Sequence, residues 1–194
     1  MTEARAILSL IGQSFVDPRG VARLLNGLRL NRGILWSALA AVVCLSVLMM
    51  TAAIAVSGLE EGHPLFALTP FTLAIVLGSS LVAMVFAFYF TGQMLGGTGR
   101  FPGALILMTW WQVMALAVQA LQLVALGLST WLAEAISLLG FGYLIVSLAV
   151  FIDVLHGFDN IFKAAGTVVL AVLGISFGLA LLMTLIGVAT LGTT

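Results

Sequence analysis

Residues 151–163, FIDVLHGFDNIFK, hold the densest group of side chains that could do chemistry in this chain. Along one continuous helix, Asp153, His156, Asn160 and Lys163 would share a face, with Asp159 at its margin. An Asp and a His three positions apart can bind a metal, but the di-metal sites of helical bundles need two Glu-x-x-His motifs and further carboxylates. Only one imperfect copy is present, and no Ser or Cys nucleophile adjoins the histidine. We therefore expect neither a metal site nor a catalytic residue here.

The composition predicts that membrane-crossing helices position this stretch. Hydrophobic residues make up 62% of the 194 residues and charged residues 7%, whereas a soluble domain carries about a quarter charged residues. The mean hydropathy is +1.26. A spanning helix needs about 20 apolar residues, so the expected fold class is all-α, a polytopic bundle of five transmembrane helices. The expected spans are 33–57, 66–91, 103–129, 130–152 and 164–191, within one transmembrane domain of residues 33–194.

The basic residues predict how the bundle is oriented. All 7 Lys and Arg residues fall before the first span or in the second–third and fourth–fifth connections, which five spans place on one side. The positive-inside rule makes that side cytoplasmic, with the N-terminus inside and the C-terminus outside. The excess of arginine over lysine, with abundant Ala and Gly, indicates a bacterial cytoplasmic (inner) membrane. The basic residues are few and scattered, so we expect no nucleic-acid partner.

Within this frame, residues 151–163 have the features of a cytoplasmic connection between the fourth and fifth spans. Gly157 interrupts the helix, and Asp159 with the asparagine after it resembles a cap that starts the next helix. On this interpretation Asp159 caps the fifth span and Lys163 anchors it at the membrane interface. His156 would then face headgroups or a partner.

The loop before the third span contains four glycines in eight residues, three of which are Gly96, Gly97 and Gly99. A glycine-rich loop can hold a phosphate, but this one lacks the Lys-Ser/Thr pair of a P-loop and the preceding strand of a dinucleotide fold. The pattern therefore favours a flexible hairpin beside Arg100.

Three glutamines give the strongest polar signal inside a span. Gln112, Gln119 and Gln122 lie near one face of the third span. Amides exposed to lipid would be unsatisfied, so this face should look into the bundle or at a partner. Interhelical hydrogen bonds are one interpretation, and a polar permeation path is the alternative. The expected spans contain no Asp, Lys, Arg or His and a single acid, Glu134, which argues against charge-coupled transport.

Residues 1–32 are too polar to span a membrane and are expected to form cytoplasmic amphipathic helices. Asp17 is a suitable N-cap, and Pro18 a suitable first helical residue. Val21 and Leu25 then lie on one face with two further leucines, and arginines lie on the other. Such a helix is typical of the headgroup region of a membrane. A helix packed under its own bundle is the alternative.

Four short motifs occur in a fixed order along the chain. They are an Asp-Pro-Arg lead, a Gly-Gly-x-Gly-x-Phe loop before the third span, a His-Gly pair after the fourth, and Lys-Ala at the fifth. The residues that carry them are Asp17, Pro18, Arg19, Gly96, Gly97, Gly99, Phe101, His156, Gly157, Lys163 and Ala164. From about Phe15 to Gly187, this arrangement resembles the Yip-one domain family of multi-pass membrane proteins. The resemblance implies a five-helix bundle that is not an enzyme.

The resemblance also implies a role that eukaryotic members of the family have in vesicle traffic. Those members bind Rab-type GTPases through a cytoplasmic N-terminal region and associate with related membrane proteins. Here that region has only 32 residues and is basic, which argues against a Rab-type partner. We therefore expect a non-enzymatic scaffold or adaptor without a cofactor, whose partners are membrane lipids and other membrane proteins or a second copy of itself. Its candidate cytoplasmic interaction surface comprises Arg19, Arg23, Arg29, Arg32, Gly96, Gly97, Gly99, Arg100, Phe101, Asp153, His156, Asp159 and Lys163. The alternative is a transporter or lipid-handling protein that uses the glutamine face.

Overall fold

The computed structural model describes residues 2–56 and 69–191, and the side chains of residues 5–56, 69–181 and 184. The helices in these residues are α1 (Thr2–Val16), α2 (Pro18–Gly27), α3 (Arg32–Val56), α4 (Pro70–Met94), α5 (Phe101–Leu126), α6 (Thr130–His156) and α7 (Ile161–Leu191). Five of them, α3 to α7, are long and apolar enough to cross a membrane, and the described ranges contain no strand. The predicted all-α polytopic fold is confirmed. The predicted span limits at residues 57 and 66 lie outside the described residues.

Local signals in the sequence set several helix boundaries. The Asp17 carboxylate accepts a hydrogen bond from the Gly20 amide at 2.9 Å, with proline at the first helical position, as predicted. Thr69 caps α4 in the same way, again with a proline next to it. The third and fourth spans are joined by a tight hairpin, since α5 ends at Leu126 and α6 begins at Thr130.

Helix α5 lies at the centre of the bundle. It packs against α3, α4 and α6, and α7 packs on the other side of α4 and α6. Its Leu107, Met108 and Met114 side chains are fully buried. Large apolar side chains such as Phe141 and Phe177 are exposed on the outside, where lipid would cover them. This surface is the one expected of a protein whose solvent is hydrocarbon.

The two N-terminal helices pack against α5 and α6. In α2, Val21, Ala22 and Leu25 are buried against the bundle, while Leu24 and Leu28 are 53% and 46% exposed. One edge of the apolar face therefore packs under the bundle, and the other edge stays open.

Helix α1 is held by hydrogen bonds to two spans. The indole of Trp110 in α5 donates to the Ser14 hydroxyl at 2.9 Å, and the Tyr143 hydroxyl in α6 donates to the Ser14 carbonyl oxygen at 2.8 Å. Phe15 also packs on the Tyr143 ring. These contacts tie the N-terminal helices to the membrane domain.

Candidate functional site

The segments that carry the predicted interaction surface meet at one end of the bundle. We call this the basic end: residues 17–32, 95–100 and 153–163. The Arg19 guanidinium in α2 donates to the Asp153 carboxylate near the end of α6 at 2.5 Å. The Thr98 amide in the α4–α5 loop donates to the His156 carbonyl oxygen at 3.0 Å. Three segments far apart in the sequence therefore form one connected surface.

Asp153 is an internal link of the basic end, not part of its surface. Its side chain is only 3% exposed, whereas that of Arg19 is 42% exposed. Besides the ion pair, its Oδ1 atom accepts a hydrogen bond from the Asn160 amide at 3.0 Å. A buried carboxylate needs such partners because desolvation is costly for an unpaired charge. Asp153 thus joins α2, α6 and the start of α7.

His156 is buried, so the expectation that it faces headgroups or a partner is wrong. The residue is 1% exposed, and its Nε2 atom lies 3.2 Å from the Phe88 carbonyl oxygen in α4. Because a carbonyl oxygen can only accept, this contact assigns the ring hydrogen to Nε2. Nδ1 has no hydrogen-bond partner among the described residues. In the same part of the chain, no group of three His, Cys, Asp or Glu side chains could hold a metal ion.

Glycines make the space for the His156 ring. A Cβ atom added to Gly92 or to Gly97 would overlap the ring, and one added to Gly99 would lie 2.8 Å from Nδ1. The loop closes on itself through a 2.8 Å hydrogen bond from the Gly97 amide to the Gly92 carbonyl oxygen, and Gly96 takes a positive φ of 80° at the turn. The glycine-rich loop therefore encloses a histidine and does not form an open phosphate cradle. Sequence reasoning gave Gly92 no role in the site.

The start of α7 differs from the prediction in its capping residue. The Asn160 side chain accepts from the amides of Phe162 and Lys163 at 3.0 and 3.2 Å, whereas Asp159 is exposed with a positive φ of 49°. Asn160, not Asp159, is therefore the N-cap. The Lys163 ammonium lies 4.6 Å from the centre of the Phe158 ring, which stacks on His156. Its role as a membrane anchor stays a prediction.

Replacing the cap should weaken α7. We expect Asn160→Ala to lower the free energy of unfolding by about 1 kcal/mol, because two amides lose their acceptor. The matched control is Asp159→Asn, which removes a charge but keeps a residue that tolerates positive φ, so its effect should be small. Unfolding of the purified protein in mixed detergent micelles would measure both. An equal loss in the two variants would contradict the assignment of the cap.

The remaining arginines of the basic end are exposed and form no ion pair with an acid among the described residues. Arg23, Arg29, Arg32 and Arg100 are exposed, and the ion pair of Arg19 with Asp153 is the one that the structure records among the described residues. Phe101 is half-buried against Phe86 and Tyr89. The arginines are therefore free to meet an anionic partner.

The three predicted glutamines have different environments. Gln112 is half-buried and donates a long, 3.5 Å hydrogen bond to the Ser46 hydroxyl in α3. Gln119 is exposed and Gln122 half-buried, and neither has a hydrogen-bond partner among the described residues. Gln112 agrees with the interhelical interpretation, and the polar path stays a prediction.

The fold and the basic end define the class of protein: a multi-span helical membrane protein whose N-terminal helices pack against two of its spans, α5 and α6. The sequence model of the Yip1 domain matches residues 12–183, which is most of the chain. The chain therefore belongs to the Yip1 domain family, and the resemblance inferred from its motifs is confirmed. Among curated proteins and among solved structures, none matches this sequence.

Proposed function

We propose that this protein is a non-enzymatic scaffold or adaptor of a bacterial cytoplasmic membrane, with its basic end in the cytoplasm. It would bind other membrane proteins, or a second copy of itself, at that end. The observation that supports this proposal is that α2 and the α4–α5 loop are both held to the end of α6, through the Arg19–Asp153 and Thr98–His156 contacts. A preformed surface loses less conformational entropy on binding than three separate loops would.

The charges of this surface indicate the chemistry of the partner. Arg23, Arg29, Arg32 and Arg100 are exposed on one end of the bundle without an acidic partner in the described residues. Clustered positive charge steers and orients an acidic partner surface or an anionic membrane. The interaction proposed here is therefore electrostatic in its recognition step.

Site-specific photo-crosslinking in living cells tests the adaptor role. We expect a crosslinking residue at Arg23 and another at Asn160 to capture the same discrete membrane protein, or a second copy of this chain. The control position is Trp131, which is 75% exposed near the start of α6 at the opposite end. Equal capture of that protein from Trp131, or no protein adduct from the two basic-end positions, would contradict the proposal.

The proposed orientation has a separate test. In a Cys44→Ala background, single cysteines at Arg23 and at Ser129 would be treated with a membrane-impermeant thiol reagent. Five spans with the basic end inside place Ser129, in the α5–α6 hairpin, outside the cytoplasm. We expect the cysteine at 129 to react in intact cells and that at 23 only after the membrane is opened. The reverse pattern would overturn the orientation.

A further inference from the structure

A cleft of about 740 Å³ opens at the basic end between α2, the start of α3 and the start of α5. Its polar wall includes Asn26, Arg29 and Arg100, and its apolar wall includes Leu30, Leu35 and Ile106. Among the residues that the structure describes, no acid lines it. The cleft therefore combines two positive charges with an apolar surface.

A neighbouring cleft at the basic end differs from this one in the charges that line it. That cleft has about 360 Å³ and is lined by Arg19 and Arg23, but Asp153 and Asp159 also line it, so its charges are balanced within the protein. Arg29 and Arg100 have no acidic partner in the described residues. A concave site with uncompensated positive charge attracts an anion because its low-dielectric walls concentrate the field.

The position of the cleft indicates which kind of anion it would bind. Arg100 immediately precedes α5, and Leu35 lies in the first turn of α3, so both mark ends of membrane spans. Trp36, 43% exposed beside Leu35, is a residue type enriched at the membrane interface. The cleft thus lies where phosphate headgroups lie, with its apolar wall continuing toward the hydrocarbon.

We propose that this cleft binds the phosphate headgroup of an anionic phospholipid from the adjacent leaflet. Arg29 and Arg100 contact the phosphate, the Asn26 amide contributes polar contact, and one acyl chain follows the wall of Leu35 and Ile106. Zwitterionic lipids bind less well because the positively charged ammonium group of their headgroup is repelled by the same arginines. This site rests on the basic end lying at a membrane surface, as in the proposed function, but not on any protein partner.

Native mass spectrometry of the purified full-length protein tests the site. The probes are phosphatidylglycerol and phosphatidylcholine with identical acyl chains. We expect the unaltered protein to retain phosphatidylglycerol on the order of tenfold better, and Arg29→Gln with Arg100→Gln to lose that preference. The lysine pair, Arg29→Lys with Arg100→Lys, should keep most of it. The matched control is Arg5→Gln with Arg32→Gln, which removes the same charge outside the cleft and should keep the preference.

Three other results of this measurement would contradict the proposed lipid site. Equal loss in the cleft and control variants would mean diffuse surface attraction, and no preference in the unaltered protein would mean no anion site. Competition by inorganic phosphate as effective as that of the lipid would identify a free-phosphate site. Because no partner protein is present in this measurement, its failure would leave the crosslinking result, and thus the adaptor proposal, unaffected.

Discussion

Gly92→Ala is expected to lower the free energy of unfolding by about 3 kcal/mol, because the added methyl group would overlap the buried ring of His156. The His156 ring is 1% exposed, and Gly97 and Gly99 also lie against it. Replacing glycine by alanine in a helix ordinarily stabilises the helix by up to about 1 kcal/mol. A large loss of stability in Gly92→Ala would therefore be due to the clash. Unfolding in mixed detergent micelles would measure it.

A double-mutant cycle separates this clash from other effects. In a His156→Ala background the ring is gone, so Gly92→Ala should become neutral or slightly stabilising. The matched control is Gly142→Ala in α6, where an added Cβ atom meets nothing within 4 Å. If Gly92→Ala costs the same with and without the histidine ring, the close packing described here is wrong.

Arg19→Gln is expected to destabilise the protein more than Asp153→Asn. Removing the arginine leaves the Asp153 carboxylate, 3% exposed, without its counter-ion, whereas removing the negative charge leaves an arginine that is 42% exposed and can reach water. The asparagine oxygen can still accept from the Asn160 amide. We expect losses of about 2–3 kcal/mol for Arg19→Gln and about 1 kcal/mol for Asp153→Asn, allowing for the exposure of the arginine.

The stability losses of Arg19→Gln and Asp153→Asn should also be non-additive. In the Asp153→Asn background, Arg19→Gln should cost little, since its buried counter-charge has been removed. Arg23→Gln, one turn further along α2 and without an ionic partner in the described residues, should change stability by less than about 0.5 kcal/mol. Equal and additive losses for Arg19→Gln and Asp153→Asn would show that the ion pair does not hold α2 to the bundle.

The membrane domain and the local caps could be predicted from the sequence because both depend on neighbouring residues. Runs of about 20 apolar residues predict α3 to α7, and the Asp17-Pro18 pair predicts the start of α2. The cap of α7 shows the limit of such local reasoning. Asp159 and Asn160 are both good capping residues, and the positive φ of Asp159 places Asn160 at the N-cap position.

The candidate site could not be predicted to the same depth because its contacts join distant parts of the chain. His156 alone resembles a polar residue at a membrane surface, and the glycines around residue 97 resemble a flexible loop. Only the fold shows that these glycines enclose the histidine. Similarly, nothing near Arg19 or Asp153 in the sequence indicates that they pair. To predict that the α4–α5 loop encloses His156 at the end of α6, one would have needed to know how α4 and α6 lie relative to each other.

The Arg19–Asp153 contact also has a consequence for the timing of synthesis. The two residues are 134 positions apart, so at roughly 5–20 residues per second the ribosome makes the second about 7 to 27 s after the first. Trp110, which binds Ser14 of α1, is made 96 positions after Ser14, whereas Tyr143 and Asp153 follow only in the fourth span. The contacts of α1 can therefore begin to form with the third span, but the ion pair that holds α2 cannot form until the end of the fourth span has been made.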